Sequence, residues 1–84
     1  MTALYWGEKY LRDEGVEKEL HQLEGDLECV KLWLCRNSLS DSPHLTNFRQ
    51  FEGLKLLDLS YNDIETLTVG NIPPTTEILV LYNN

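Results

Sequence analysis

Basic residues are scarce in this chain. Seven Lys and Arg stand against 14 Asp and Glu, a net charge of −7 and a sequence pI near 4.6. That balance excludes nucleic acid as the principal partner, because phosphate binding needs a basic face. It also works against an anionic membrane surface. Long apolar runs are missing too: nothing approaches the ~18 residues of a membrane span, so membrane insertion is not expected. The opening MTALYWGEKYLRDEG lacks the basic flank and apolar core of a signal peptide, and the chain has no Asn-x-Ser/Thr sequon. Taken as a complete chain, these absences predict a cytoplasmic protein. Taken as a piece of a longer one, an extracellular location stays open.

Cysteine is nearly absent. Cys29 and Cys35 are too few for a disulfide framework. They lie in a segment that reads as one strand, so their Cα atoms should be roughly 20 Å apart, beyond disulfide reach. His21 and His44 are separated from the pair by helix and loop, so no metal site converges on the thiols. Cys29 takes a core position and should react slowly; Cys35 falls on the open face and should react readily. Catalytic motifs are missing as well: no phosphate loop, no H-E-x-x-H, no G-x-S-x-G and no C-x-x-C. Asp58 is the only acid a strand would present on the open face, and a lone exposed Asp is more often solvated or partner-facing than a general base. The expectation is a protein that is not an enzyme and carries no cofactor and no metal.

What is present is periodicity. Val16, Leu20, Leu23 and Leu27 recur at i, i+4, i+7 and i+11 and draw one apolar helical stripe. Gly15 breaks or starts this helix, Gly25 ends it, and Tyr10 and Leu11 suggest a further helical turn upstream. Leu4-Tyr5-Trp6 reads either as a degenerate strand or as a plug over the edge of the later strands. Residues 1–28 hold eight acidic and three basic residues and form an acidic helical flank. From Cys29 the period becomes two, in Val30-Lys31-Leu32-Trp33-Leu34-Cys35, Leu57-Asp58-Leu59-Ser60 and Leu79-Val80-Leu81-Tyr82, as half-buried strands require. The first return, with Leu45, Phe48, Phe51 and Leu54 at spacing three, should be helical or 3-10. The second, residues 68–76, carries Pro73-Pro74, which deny a regular helix and favour an extended path.

These segments repeat. Leu54, Leu57, Leu59, Asn62, Ile64 and Leu67 follow L-x-x-L-x-L-x-x-N-x-L-x-x-L. Leu79, Leu81 and Asn84 restart the core of that pattern downstream, and Cys29, Leu32, Leu34, Asn37 and Leu39 anticipate it upstream. Both spacings lie in the ~20–29 residue range of leucine-rich repeats, and the chain resembles that family over residues 29–84. The resemblance implies an α/β solenoid: a short parallel sheet on the concave face, helical or extended returns, and an N-terminal helix before them. Its units are residues 29–53, 54–75 and a partial 76–84. Asn37, Asn62 and Asn84 should turn inward after each strand, where an amide satisfies backbone groups of its own and adjacent coils.

The same register names a surface. Its columns are Lys31, Leu56 and Ile78; Trp33, Asp58 and Val80; and Cys35, Ser60 and Tyr82, with Arg36, Tyr61 and Asn83 at the rim. An aromatic and apolar patch beside polar groups has the chemistry of an interface hot spot. The expected contact residues are Lys31, Trp33, Arg36, Leu56, Asp58, Tyr61, Ile78, Val80 and Tyr82. What the resemblance implies is a protein-recognition module with a protein partner, and the Pro-containing second return looks like those of extracellular, innate-immune members. The alternative is the structural N-terminal end of a larger repeat protein, a regulatory scaffold or one linked to an enzyme, with no binding role of its own. The strand 78–82 carries no Lys or Pro to discourage edge pairing, so self-association through that edge is also expected.

Overall fold

Strands of period two with leucines on one side can bury them only by lying next to one another over a shared core. A computed structural model describes residues 2–23 and 28–84 and has that arrangement. Four strands, β1 (Thr2–Tyr5), β2 (Cys29–Trp33), β3 (Leu56–Asp58) and β4 (Ile78–Val80), form one parallel sheet in chain order. Among the described residues, one α-helix, α1 (Arg12–His21), lies between β1 and β2. The chain is thus a small α/β protein.

The leucine spacing sets the register. Leu32 pairs with Leu57, and Leu57 with Leu79. Leu32, Leu34, Leu57 and Leu59 are fully buried beneath the sheet. The first return packs Leu45 and Phe51 against them from two 3-10 turns, Leu45–Asn47 and Arg49–Phe51. The second return was expected to be extended, yet it holds one 3-10 turn, Val69–Asn71. A single turn needs few residues, and it ends at Ile72 in extended backbone before Pro73 bars continuation. The hydroxyl of Thr76, ahead of β4, is buried without a partner among the described residues.

The N-terminal segment departs most from the expected pattern. Leu4-Tyr5-Trp6 is strand and strand end: Leu4 pairs with Leu32 and Tyr5 with Trp33. The helix begins at Arg12, ahead of Val16 where the expected stripe starts, and ends at His21, so Leu23 follows it. The last member of the stripe, Leu27, and the expected stop at Gly25 lie outside the described residues. Gly15 neither starts nor breaks the helix but sits in its first turn. A Cβ there would lie 2.8 Å from that of Leu11, so the close approach of the incoming chain demands glycine. Tyr10 is not helical either: its φ of 52° places it in the left-handed region, in the bend after β1.

Asparagines occupy the bends. Asn37 is fully buried; its amide nitrogen donates to the carbonyls of Trp6 (2.6 Å), Leu34 (3.0 Å) and Cys35 (3.4 Å). Asn62 donates to Leu34 (3.1 Å), Leu59 (2.9 Å) and Ser60 (3.2 Å), and its carbonyl accepts the N–H groups of Asn37 (2.9 Å) and Leu39 (3.1 Å). Asn84 donates to Leu59 (3.0 Å) and Leu81 (2.8 Å) and accepts from Ile64 (3.1 Å). Each side chain thereby ties its own bend to the preceding one, satisfying backbone groups that would otherwise be buried unpaired.

A second set of ties joins the returns. The Asp13 carboxylate accepts from the Ser40 amide and hydroxyl. In the next return, the Asp41 carboxylate accepts from the Thr68 amide (2.7 Å) and hydroxyl. Hydrogen bonds from Thr68 and Ser42 hold the Asp41 carboxyl below its usual range, against the opposing effect of desolvation. Glu17 accepts from the amide and Nδ1 of His44.

Removing the Asn62 amide leaves its buried backbone partners unpaired at ~1–3 kcal/mol each before relaxation, so Asn62→Ala should cost at least about 3 kcal/mol. Asn84→Ala, at the exposed end, should cost about 1 kcal/mol or less. Urea unfolding of both variants measures the difference; equal losses would contradict the role assigned to the buried bend.

Candidate functional site

With leucines filling the inner face of the sheet, the alternate residues stand on the other. Lys31, Leu56 and Ile78 form one column, continued by Ala3; Trp33, Asp58 and Val80 form the next, continued by Tyr5. Arg36, Tyr61 and Tyr82 lie beyond the C-terminal ends of these strands. These two columns are those drawn by the sequence pattern, with Ala3 and Tyr5 added from β1; the third expected column, Cys35, Ser60 and Tyr82, lies beyond the paired residues. The alternation Leu4-Tyr5-Trp6, which parallels Leu32-Trp33-Leu34, is the signal that marks β1.

The aromatic side chains form two pairs. Tyr5 and Trp33 stack with ring centroids 4.3 Å apart and planes at 10°. Tyr61 and Tyr82 meet edge to face at 5.5 Å. Such pairs hold their rings in place at a small entropic cost, with about 0.5–1.5 kcal/mol beyond their area burial. Tyr5 and Tyr82 remain 70% and 58% exposed, and Ile78 is 53% exposed. The guanidinium of Arg36 lies 4.2 Å from the Tyr61 ring centroid and pairs with Glu8 at 3.5 Å. Backbone geometry aims this group: Arg36 and Tyr61 both adopt left-handed φ, 58° and 56°, as does Asn83 at 58°. Bulky residues enter that region at a cost of roughly 1–2 kcal/mol, here at the residue before each asparagine.

Asp58 is held in a defined orientation. Its Oδ1 accepts the Ser60 amide at 2.9 Å and the Ser60 hydroxyl at 2.6 Å. Its Oδ2 has no hydrogen-bond partner among the described residues. Ser60 was expected on the open face, yet it is 2% exposed, because its short side chain turns back onto Asp58. The expectation for Cys35 also changes. It is only partly exposed, and a Cβ at Gly7 in the first bend would lie 3.2 Å from its sulfur. Burial, followed by the Asp58 charge, pushes its thiol up, which disfavours the reactive thiolate. Burial likewise raises the Cys29 thiol.

Elsewhere, a groove on the return side is lined by Asp13, Glu17, Asp41, His44 and Asn71. Its acids are spent on the inter-return hydrogen bonds described above. Among the described residues no group of three or more His, Cys, Asp or Glu is placed to hold a metal ion, and no helix is long and apolar enough to cross a membrane. No protein-family model matches the chain, and neither a curated protein nor a solved structure matches it.

With a thiol reagent at mildly alkaline pH, Cys35 should react faster than the buried Cys29 yet several-fold slower than free cysteine. Mass-resolved labelling kinetics check both statements; reaction of Cys35 at the free-thiol rate would contradict its shielding.

Proposed function

We propose that the chain is a protein-binding module built as a leucine-rich repeat solenoid, with its open sheet face as the contact surface. The observation that carries this reading is two exposed aromatic pairs, Tyr5 on Trp33 and Tyr61 against Tyr82, on a sheet whose leucines fill the core. Aromatic rings beside an arginine are the residues that dominate interface energetics. The bend asparagines and the leucine register support the repeat reading, with units at residues 29–53, 54–75 and 76–84. The strand Thr2–Tyr5 and the left-handed pair Glu8 and Tyr10, matching Arg36 and Ser38, extend it to a divergent unit before them. The partner is a protein; the surface is a binding face and not a catalytic one.

Trp33→Ala tests the reading. Against a protein partner captured on the immobilised chain, it should weaken binding by more than about 1 kcal/mol while the thermal midpoint stays nearly unchanged. A loss of stability equal to the loss of binding would instead make the patch an internal cover.

A second surface is favoured by a separate observation. Leu79 is 36% exposed, whereas its register partner Leu57 is fully buried. Among the described residues no strand pairs with the outer edge of β4, and residues 78–84 carry no charge to oppose pairing. We therefore propose self-association of this chain through that edge. Light scattering over a concentration series should show mass rising with concentration, and Val80→Lys should suppress the rise. A concentration-independent monomer would remove this surface from consideration.

A further inference from the structure

The open face contains one group that the aromatic pairs alone do not explain: an oriented carboxylate with an open oxygen. Both hydrogen bonds from Ser60 go to Oδ1 of Asp58, which fixes the carboxylate plane and leaves Oδ2 available among the described residues. Trp33 is the register neighbour of Asp58 on one side and Val80 on the other. Tyr5 stacks on Trp33 from the β1 side, while Asp58 is the register neighbour of Trp33 on the β3 side. A cation at Oδ2 would meet a carboxylate and an indole π-face together, two attractions that reinforce each other where water is partly excluded.

The cations this chain itself places on the face do not fill that position. Arg36 is held between Glu8 and the Tyr61 ring. Lys31 stands in the neighbouring column, with Leu56 and Ile78, and no ion pair joins it to Asp58 among the described residues. The chain as a whole carries a charge of −7, a field that draws basic partners and repels acidic ones. Resting on the reading of this face as a contact surface, we infer that its protein partner presents a basic side chain, Lys or Arg, which seats on Asp58 against Trp33. The remaining aromatic rings then contact the apolar part of the same segment.

Three capped tetrapeptides serve as probes: tetra-arginine, tetra-glutamate and a neutral Leu-Ser sequence, each titrated into the full chain and followed by amide and indole NMR shifts. Tetra-arginine should shift the Trp33 indole N–H and the amides of Asp58, Ser60 and Tyr82, more strongly at low salt than at high salt. Asp58→Asn keeps an oxygen to accept from Ser60 but removes the charge, and it should weaken that binding by about tenfold. Glu65→Gln, which removes a charge from an exposed acid away from the face, should change it little. Tetra-arginine shifts confined to the Asp13, Glu17 and Asp41 groove, or unchanged affinity in Asp58→Asn, would overturn the inference. If the neutral or acidic peptide moves the open-face signals and tetra-arginine does not, the face remains a contact surface and the basic partner is wrong. If none of the three moves them, both readings fall.

Discussion

The bend after each strand is the constraint on which the rest of this structure depends. A strand that turns away from a parallel sheet brings backbone amides and carbonyls into an interior that water does not reach. Each such group left unpaired costs about as much as a lost hydrogen bond. An asparagine answers this with one carbonyl and one amide on a short stem, reaching its own bend and the preceding one. The stretch from Asn37 to Asn62 is longer than that from Asn62 to Asn84, so the two returns are unequal. The bends still meet because the returns absorb the difference, with two 3-10 turns in the first and one in the second.

Holding the bend in this way has a consequence for the surface. The residue before each asparagine takes a left-handed conformation, and at Arg36 and Tyr61 that residue is large. Glycine would enter this region more easily. With Arg36 and Tyr61 there instead, a guanidinium and a phenol ring stack at the end of the sheet, beside Tyr82. Strained backbone and an exposed aromatic ring coincide at Tyr61.

Charge is distributed between the two sides of the molecule in different roles. On the return side, Asp13, Glu17 and Asp41 accept hydrogen bonds from the following return, so their charge serves cohesion. On the sheet face, Asp58 is oriented by Ser60 through one oxygen, and its other oxygen has no hydrogen-bond partner among the described residues. Equal residue types thus differ in availability because of what donates to them, and composition alone cannot separate the two cases.

The leucine and asparagine spacings determined by themselves which leucines of β2 and β3 are buried and the register of β2, β3 and β4. Side-chain alternation has a period of two, and parallel neighbours one repeat apart must match their apolar faces. The 3-10 character of the first return was also legible, from Leu45, Phe48 and Phe51 at spacing three. Tertiary structure decided the rest. Whether Leu4-Tyr5-Trp6 was strand or plug depended on pairing with Leu32 and Trp33, a full repeat away along the chain. The start of α1 depended on Leu11 packing against Gly15, which an apolar stripe does not encode. The burial of Ser60, the orientation of Asp58 and the shielding of Cys35 by the first bend depended on side chains meeting in space. The Asp13 and Asp41 ties had a faint trace in the sequence, an aspartate ahead of each of two successive returns. A carboxylate's partner is chosen by the neighbouring return, and local spacing says nothing about which backbone N–H will lie beside it.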